Sequence, residues 1–208
     1  MYGNDKLLTN IVFGISMNSM QALIDSMILS DRLEDPQIID AFRAVDRKYF
    51  VPDSFAEHIY VDAPLPIGNN QTISQPSTVA FMLEQLDSGE GDKVLDIGSG
   101  SGWTTALLCH IVGEKGSVTG LERMDALVEQ GEKNLSKLQF GSHCRIQRAG
   151  EKLGLPGEKF DRILVSASAD EIPKELFLQL KIGGTLVIPV RNSIFKFKKI
   201  SDTYVEKE

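Results

Sequence analysis

The stretch VLDIGSGSGW, residues 94–103, runs from a short apolar segment through three alternating glycines into a run with helical spacing. Val94 to Ile97 is apolar apart from one acid, as expected of a strand buried on both faces. Gly98, Gly100 and Gly102 let the backbone turn sharply and approach a ligand closely, and they expose amides at the entrance of the next helix. A strand that ends in such a loop and opens a helix marks the place where open α/β sheets bind ligands.

Downstream, apolar and amphipathic runs alternate. The spacing predicts a helix from Trp103 to Val112, a strand from Ser117 to Leu121 and a helix from Met124 to Leu138. Strands follow from Cys144 to Arg148 and from Asp161 to Ser166, then a helix from Ile172 to Leu180 with Pro173 in its first turn, and a strand from Thr185 to Val190. Ile194 to Val205 reads as one or two further strands, antiparallel at the sheet edge. The alternation predicts an α/β fold, Rossmann-like and doubly wound around a mainly parallel sheet.

Upstream, Met20, Leu23, Ile24 and Met27, and then Ile38, Ile39, Phe42 and Val45, carry helical spacing in two pieces, with Pro36 where a second helix can start. Val51 to Gly68 is rich in proline and aromatic residues without a period and reads as a covering segment. The chain divides on this reading into an N-terminal helical and covering region, residues 1–68, and a ligand-binding core, residues 69–208, in one structural unit.

Composition narrows the function classes. With 208 residues, 42% hydrophobic and 25% charged, the chain has the makings of a folded globular domain rather than a disordered or fibrous one. A net charge of −7 argues against a nucleic-acid footprint, which needs a basic stripe. The local run Lys196-Phe197-Lys198-Lys199 reads as a solvated strand face. Cys109 and Cys144 form no Cys-x-x-Cys or Cys/His ligand spacing, so neither a disulfide framework nor a metal site is expected. The semi-apolar run Leu7 to Met20 is broken by Thr9, Asn10, Ser16, Asn18 and Ser19, which suits neither a signal peptide nor a membrane span, and a cytoplasmic location is the default expectation. The sequence sets no oligomeric state.

The details of the glycine loop choose among nucleotides. A dinucleotide fingerprint would need glycine at position 103, where Trp103 stands, and no Gly-Lys-Ser/Thr follows for a P-loop. Asp96 would repel a pyrophosphate but suits a cationic ammonium group. Glu122, at the end of the next strand, is placed to accept both hydroxyls of a ribose. An acid for an ammonium, an acid for a ribose and a loop without room for two phosphates describe S-adenosylmethionine. The expected cofactor residues are Asp96, Gly98, Ser99, Gly100, Gly102, Trp103, Glu122, Arg123 and Gly150, with Trp103 either lining the site or packing its helix.

A second motif sits at the other predicted helix entrance. DAPLPIGNNQTISQP, residues 62–76, followed by VLDIGSGSGW, closely resembles the protein-L-isoaspartate O-methyltransferase family. DRKYFVP upstream and FDRILVSASADEIPKELFLQLKIGGTLVIPV downstream extend the resemblance over roughly residues 20–190. The resemblance implies a class I S-adenosylmethionine-dependent methyltransferase fold and methyl transfer to the α-carboxyl of L-isoaspartyl residues in damaged proteins and peptides. The ester would then close to a succinimide, initiating repair. It further implies Ser74 as the catalytic hydroxyl, with Gln71, Thr72, Ile73 and Gln75 shaping the substrate wall. Ser74-Gln75-Pro76 is also the pattern of an ordinary helix cap with proline in the first turn. Asp62 could support this cradle, although its place before Pro64 and Pro66 is more simply that of an exposed turn residue. His58, His110 and His143 lack a Ser/Asp constellation, and His110 reads as a surface or packing residue.

Three positions depart from the family's pattern. Asn70 and Arg191 stand where glycine is usual, and Ala149 stands where an aspartate commonly serves the adenine; Arg191 could instead help hold a substrate carboxylate. Family members also usually continue past SDTYVEKE to a last strand, so the chain is either a short member or lacks that strand. Two rival readings follow: the same cofactor with another acceptor, and a non-catalytic cofactor-binding module.

Overall fold

The computed structural model describes residues 19–207; the run Leu7 to Met20 therefore lies almost wholly outside them. Five α-helices are described: α1 (Met20–Leu29), α2 (Pro36–Ala44), α3 (Pro76–Leu86), α4 (Trp103–Val112) and α5 (Asp125–Ser136). A two-stranded hairpin, β1 (Leu65–Gly68) and β2 (Gln71–Ile73), precedes the main sheet of β3 (Lys93–Ile97), β4 (Ser117–Glu122), β5 (Cys144–Arg148), β6 (Phe160–Val165), β7 (Leu180–Val190), β8 (Ser193–Lys199) and β9 (Val205–Lys207). The sheet order is β5-β4-β3-β6-β7-β8-β9, parallel from β5 to β7 and antiparallel at β8 and β9. Strand order reverses at β3, so the loop that follows β3 emerges at the switch point of the sheet.

Alternation along the strands fills both faces of the sheet. Val94, Val118, Leu164 and Val187 join one hydrophobic cluster, while their neighbours Leu95, Leu121, Ile163 and Leu186 join the other. The first cluster also takes Leu23, Ile24, Phe42, Val79 and Leu83, so the N-terminal helices and the α/β core bury their apolar stripes together. α2 begins as its sequence suggests: Asp35 accepts hydrogen bonds from the N–H groups of Gln37 and Ile38, and Pro36 occupies the first turn. In the hairpin, Asn69 (φ 52°) and Asn70 (φ 56°) form the two-residue turn between Gly68 and Gln71. Both are left-handed, as the favoured primed turns require, so asparagine takes the place of glycine here. Arg191 likewise sits at φ 55° in the β7–β8 turn, which accounts physically for a glycine preference there.

Three expectations are corrected. The helix expected from Ile172 to Leu180 is a short 3₁₀ segment, Lys174–Gln179, and Leu180 already belongs to β7. Leu176 and Leu180 are both fully buried, but pairing of Leu180 with Phe160 draws the chain into the sheet. The buried Gln179 amide bonds to Leu153 and Leu155, which fixes the end of the segment. Lys199 is not solvated: it alternates inward with Phe197, is 3% exposed, and donates to the Leu180 carbonyl at 3.1 Å. Finally, Cys109 and Cys144 are disulfide-bonded, with Cα atoms 6.0 Å apart. Sequence separation hid the pair, which forms because the face of α4 carrying Cys109 packs against β5.

The bond closes a loop across a separation of 35 positions. On loop-closure grounds, reduction should lower the unfolding free energy by about 2–4 kcal/mol. Denaturant titrations with and without reductant measure the difference, and the two curves of a Cys144→Ala variant should coincide.

Candidate active site

The loop after β3 is built at the limit of backbone approach. A side chain at Gly98 (φ 83°) would place its Cβ 2.7 Å from that of Ala167, and one at Gly102 (φ 92°) would stand 2.8 Å from Ile146 Cδ1. The amides of Gly98 and Ser99 both donate to the Leu121 carbonyl, at 2.8 and 3.1 Å, locking the loop to the end of β4. The carboxylate of Glu122, 7% exposed, closes it from the other side. Oε2 accepts from Gly100 N–H at 3.1 Å, and Oε1 accepts from the N–H groups of Arg123 and Met124 at 2.7 and 3.0 Å. Ser99, 6% exposed, carries a buried hydroxyl with no hydrogen-bond partner among the described residues. An orphaned donor inside a glycine cradle suits a polar ligand group.

Asp96 lies beneath this loop with no exposed surface. Thr105 donates to Oδ2 and Ser166 to Oδ1, each at 2.6 Å. Burial pushes the Asp96 carboxyl up to about 6; the hydroxyls of Ser166 and Thr105 oppose the rise, and the nearby Glu122 charge adds to it. Trp103 turns into the core rather than toward the loop. Its ring packs edge-on against Phe42 at 5.4 Å, and its Nε1–H donates to the Val45 carbonyl at 3.2 Å. Arg123 and Gly150 are exposed, while the neighbouring Ala149 N–H is tied to the Glu122 carbonyl at 2.8 Å.

The second motif docks on the first. Ile67 of β1 comes so close to Gly100 that a Cβ there would meet its Cδ1 at 3.3 Å, so the hairpin rests directly on the glycine loop. Gln71 and Thr72 are exposed, Ile73 is buried, and Ser74 and Gln75 are half-buried between hairpin and α3. The cap reading of Ser74 is corrected: the N-cap position of α3 is Gln75, and its side chain makes no capping bond.

Asp62 supplies the cap from another segment. Its Oδ1 accepts from Ser77 N–H at 2.8 Å, and its Oδ2 accepts from Gln75 Nε2 at 3.2 Å and Arg32 Nη1 at 3.1 Å. Far from being an exposed turn residue, Asp62 is held below the usual carboxylate range: burial raises it, but bonds from Ser77 and Gln75 and the Arg32 charge outweigh that. A cleft of about 270 Å³ between Arg32, Ser77, Phe81 and Ile194 opens beside it. His110 lies away from this site, 2.8 Å from Asp40.

Sequence reasoning missed Thr105, Ser166 and Arg47. Thr105 is one of the few polar residues in a largely apolar helix, and Ser166 directly follows a buried strand; both are signals of a hydroxyl turned inward. Arg47 offered only its presence in the quoted DRKYFVP stretch. It is completely buried and donates to four backbone carbonyls, one of them that of Ser74.

With this geometry in hand, similarity to known proteins is specific. A family model described as protein-L-isoaspartate (D-aspartate) O-methyltransferase matches residues 18–208. Protein-L-isoaspartate O-methyltransferase 1 of Archaeoglobus fulgidus is 44% identical over 168 residues, covering 78% of this chain and 78% of the relative. The protein-L-isoaspartate O-methyltransferase of Methanococcus maripaludis, strain S2, is 37% identical over 195 residues, covering 92% of each. A Plasmodium falciparum crystal structure, described as a protein-L-isoaspartate O-methyltransferase with S-adenosyl-L-homocysteine, shares the fold with a TM-score of 0.82 at 23% identity, over 91% of this chain and 94% of that one. A matched span of nearly the whole chain, together with a QTIS-bearing hairpin seated on the glycine loop, places this chain in the protein-L-isoaspartate (D-aspartate) O-methyltransferase family.

Proposed function

We infer that the protein transfers a methyl group from S-adenosylmethionine to the free α-carboxylate of L-isoaspartyl residues in damaged peptides and proteins, the step that initiates their repair through a succinimide. The observation that carries this reading is the contact of Ile67 with Gly100, which seats the Ser74-bearing hairpin on the glycine cradle. Substrate and cofactor surfaces thereby become one site.

The residues present fit S-adenosylmethionine. The cradle of Gly98 to Gly102 accepts a close backbone approach, the unpartnered Ser99 hydroxyl offers a donor, Asp96 offers a negative charge for an ammonium and Glu122 a pair of acceptors for ribose hydroxyls. Gly150 leaves open space for a base, Trp103 contributes through its backbone at the start of α4, and Arg123 flanks the ribose acid. When bound, the cofactor supplies an electrophilic methyl group on a cationic sulfur.

The chain's own work is positioning. A substrate carboxylate is ionised at neutral pH, so no residue need act as a base. The Ser74 hydroxyl, half-buried at the mouth of α3, donates to one carboxylate oxygen and leaves the other free to attack. A neutral donor orients the anion without quenching it in a tight ion pair. The exposed Gln71 and Thr72 and the half-buried Gln75 meet the flanking peptide, and Ile73 supports them from the core. The expected partners are isoaspartyl peptides and proteins rather than nucleic acids. We place the reaction in the cytoplasm; among the described residues no helix is long and apolar enough to cross a membrane.

Two measurements test the reading. Labelled methyl transfer to an isoaspartyl peptide, beside the same peptide with normal aspartate, should give base-labile label on the first alone. Ser74→Ala should lower kcat by about 10- to 100-fold, the worth of one hydrogen bond to a charged group, with S-adenosylhomocysteine affinity retained. Label on neither peptide, or a variant at the wild-type rate, would refute the assignment.

Asp96 gives the second test. Its neutral form favours folding, a contribution complete below the unfolded pKa near 3.9 and lost as pH rises through about 6. Binding an ammonium needs the ionised form, so S-adenosylhomocysteine affinity, measured by calorimetry, should be full above pH 7 and fall by up to about tenfold per unit below pH 6. Asp96→Asn should bind more weakly at pH 7 and lose that slope.

A further inference from the structure

The completely buried guanidinium of Arg47 belongs to a 3₁₀ turn, Arg47–Tyr49, whose Asp46 caps the turn and also accepts from the Tyr60 hydroxyl at 3.1 Å. Arg47 Nη1 donates to the carbonyls of Ile59 and Val61 at 2.8 and 3.1 Å, and Nη2 donates to those of Ala63 and Ser74 at 2.9 and 3.0 Å. The first three carbonyls belong to a strap, residues 59–63, built of turns and bends rather than a strand: Ile59 is helical in φ/ψ, Val61 N–H donates to the His58 carbonyl and Ala63 N–H to that of Val61. The fourth belongs to Ser74, whose hydroxyl is read above as the donor to the substrate. From below, the guanidinium carbon lies 5.3 Å from the centre of the Trp103 ring, and Trp103 opens the helix that follows the glycine loop.

We propose that Arg47 is a positioning residue for methyl transfer: it fixes the Ser74 peptide and the 59–63 strap relative to the glycine-loop helix, and so sets the aim of the Ser74 hydroxyl. This rests on the reading of Ser74 given above. The planar fork is what the task needs. A trans peptide that points its carbonyl into the core sends the N–H of the same plane the other way, and the described chain has no cis bonds. Holding the Ser74 carbonyl therefore also fixes the outward direction of the Gln75 N–H. The guanidinium spans four carbonyls from one rigid plane, whereas a lysine ammonium has three donors radiating from a point. The three strap carbonyls alone would leave two of the five N–H groups of the guanidinium unpaired; the Ser74 carbonyl takes one of them, and Nε–H has no partner among the described residues. At the Ser74 peptide the substrate anion would meet neutral donors with a cation one peptide behind them, while the Arg32–Asp62 pair is bonded to Gln75 beside it.

A double-mutant cycle separates positioning from scaffolding. Arg47→Lys, Ser74→Ala and the double variant are assayed on an isoaspartyl peptide at a temperature where each keeps native circular dichroism, with S-adenosylhomocysteine affinity measured in parallel. Arg47→Lys should lower kcat by about 10- to 100-fold, the cost of an ångström-scale misplacement, while S-adenosylhomocysteine binds within about threefold of wild type. In the Ser74→Ala background the same change should cost no more than about twofold, because the group being aimed is gone. Trp103→Phe, which keeps a ring under the guanidinium but drops the bond to Val45, enters the cycle as a milder variant with the same non-additivity expected. Equal losses in both backgrounds, an undiminished rate in Arg47→Lys, or loss of S-adenosylhomocysteine affinity in proportion to kcat overturns the proposal. A wild-type rate in Ser74→Ala alone overturns instead the reading of Ser74 on which it rests.

Discussion

Everything at the switch point of this sheet depends on a backbone with no room for side chains. Ala167 and Ile146 press on the loop after β3 from two directions, and Ile67 presses from a third. Close packing of this kind turns a flexible sequence into a fixed surface, because each neighbour removes the space into which the loop could move. The strands that flank β3, the helix that opens at Trp103 and the hairpin that bears Ser74 are thereby held in one register. The carboxylate of Glu122 completes the lock with three backbone donors, so a group able to meet a ribose also maintains the loop on which it would bind.

Charge is distributed across the site with opposite logic on its two sides. The proposed cofactor side carries Asp96 and Glu122, the first stripped of solvent, a pair that would suit a ligand bearing an ammonium and a sulfonium. The proposed substrate side, Gln71 to Gln75, presents hydroxyl and amide groups, with Arg47 buried beneath the Ser74 peptide and Arg32 paired to Asp62 beside it. An exposed arginine in that place would pair with the incoming carboxylate and blunt its nucleophilicity. Burial costs Arg47 much of its hydration and lowers its pKa to about 10, with Asp62 partly restoring it, so it remains charged at neutral pH. Asp62 in turn ties Arg32, Gln75 and the first turn of α3 into the same polar network.

Periodicity made the alternating core legible: α4 and β5 begin and end where apolar spacing placed them, and the glycine loop and the QTIS segment were recognisable as motifs, although the hairpin that carries QTIS was not. What stayed hidden depends on partners distant in the chain. Leu176 and Leu180 have the spacing of a helix, yet pairing with β6 makes Leu180 a strand residue. Asp62 looks like a turn residue until α3 is folded beside it, and Lys199 looks solvated until strand alternation turns it toward the Leu180 carbonyl. Cys109 and Cys144 follow the same rule, since their pairing is a property of helix-on-sheet packing and not of spacing. Arg47 is the sharpest case: no local pattern distinguishes an arginine that binds four carbonyls from one that faces water.

The common hydrophobic cluster has a thermodynamic consequence. Leu23 and Phe42 from the N-terminal helices share it with Trp103, Leu107 and Val118 from the sheet and its helix. Among the described residues the two sets of side chains pack in one cluster, so neither can lose its packing without exposing the other's apolar surface. The N-terminal helices and the sheet that carries the glycine loop should therefore unfold in a single cooperative transition, and a form with only the helices melted should not accumulate.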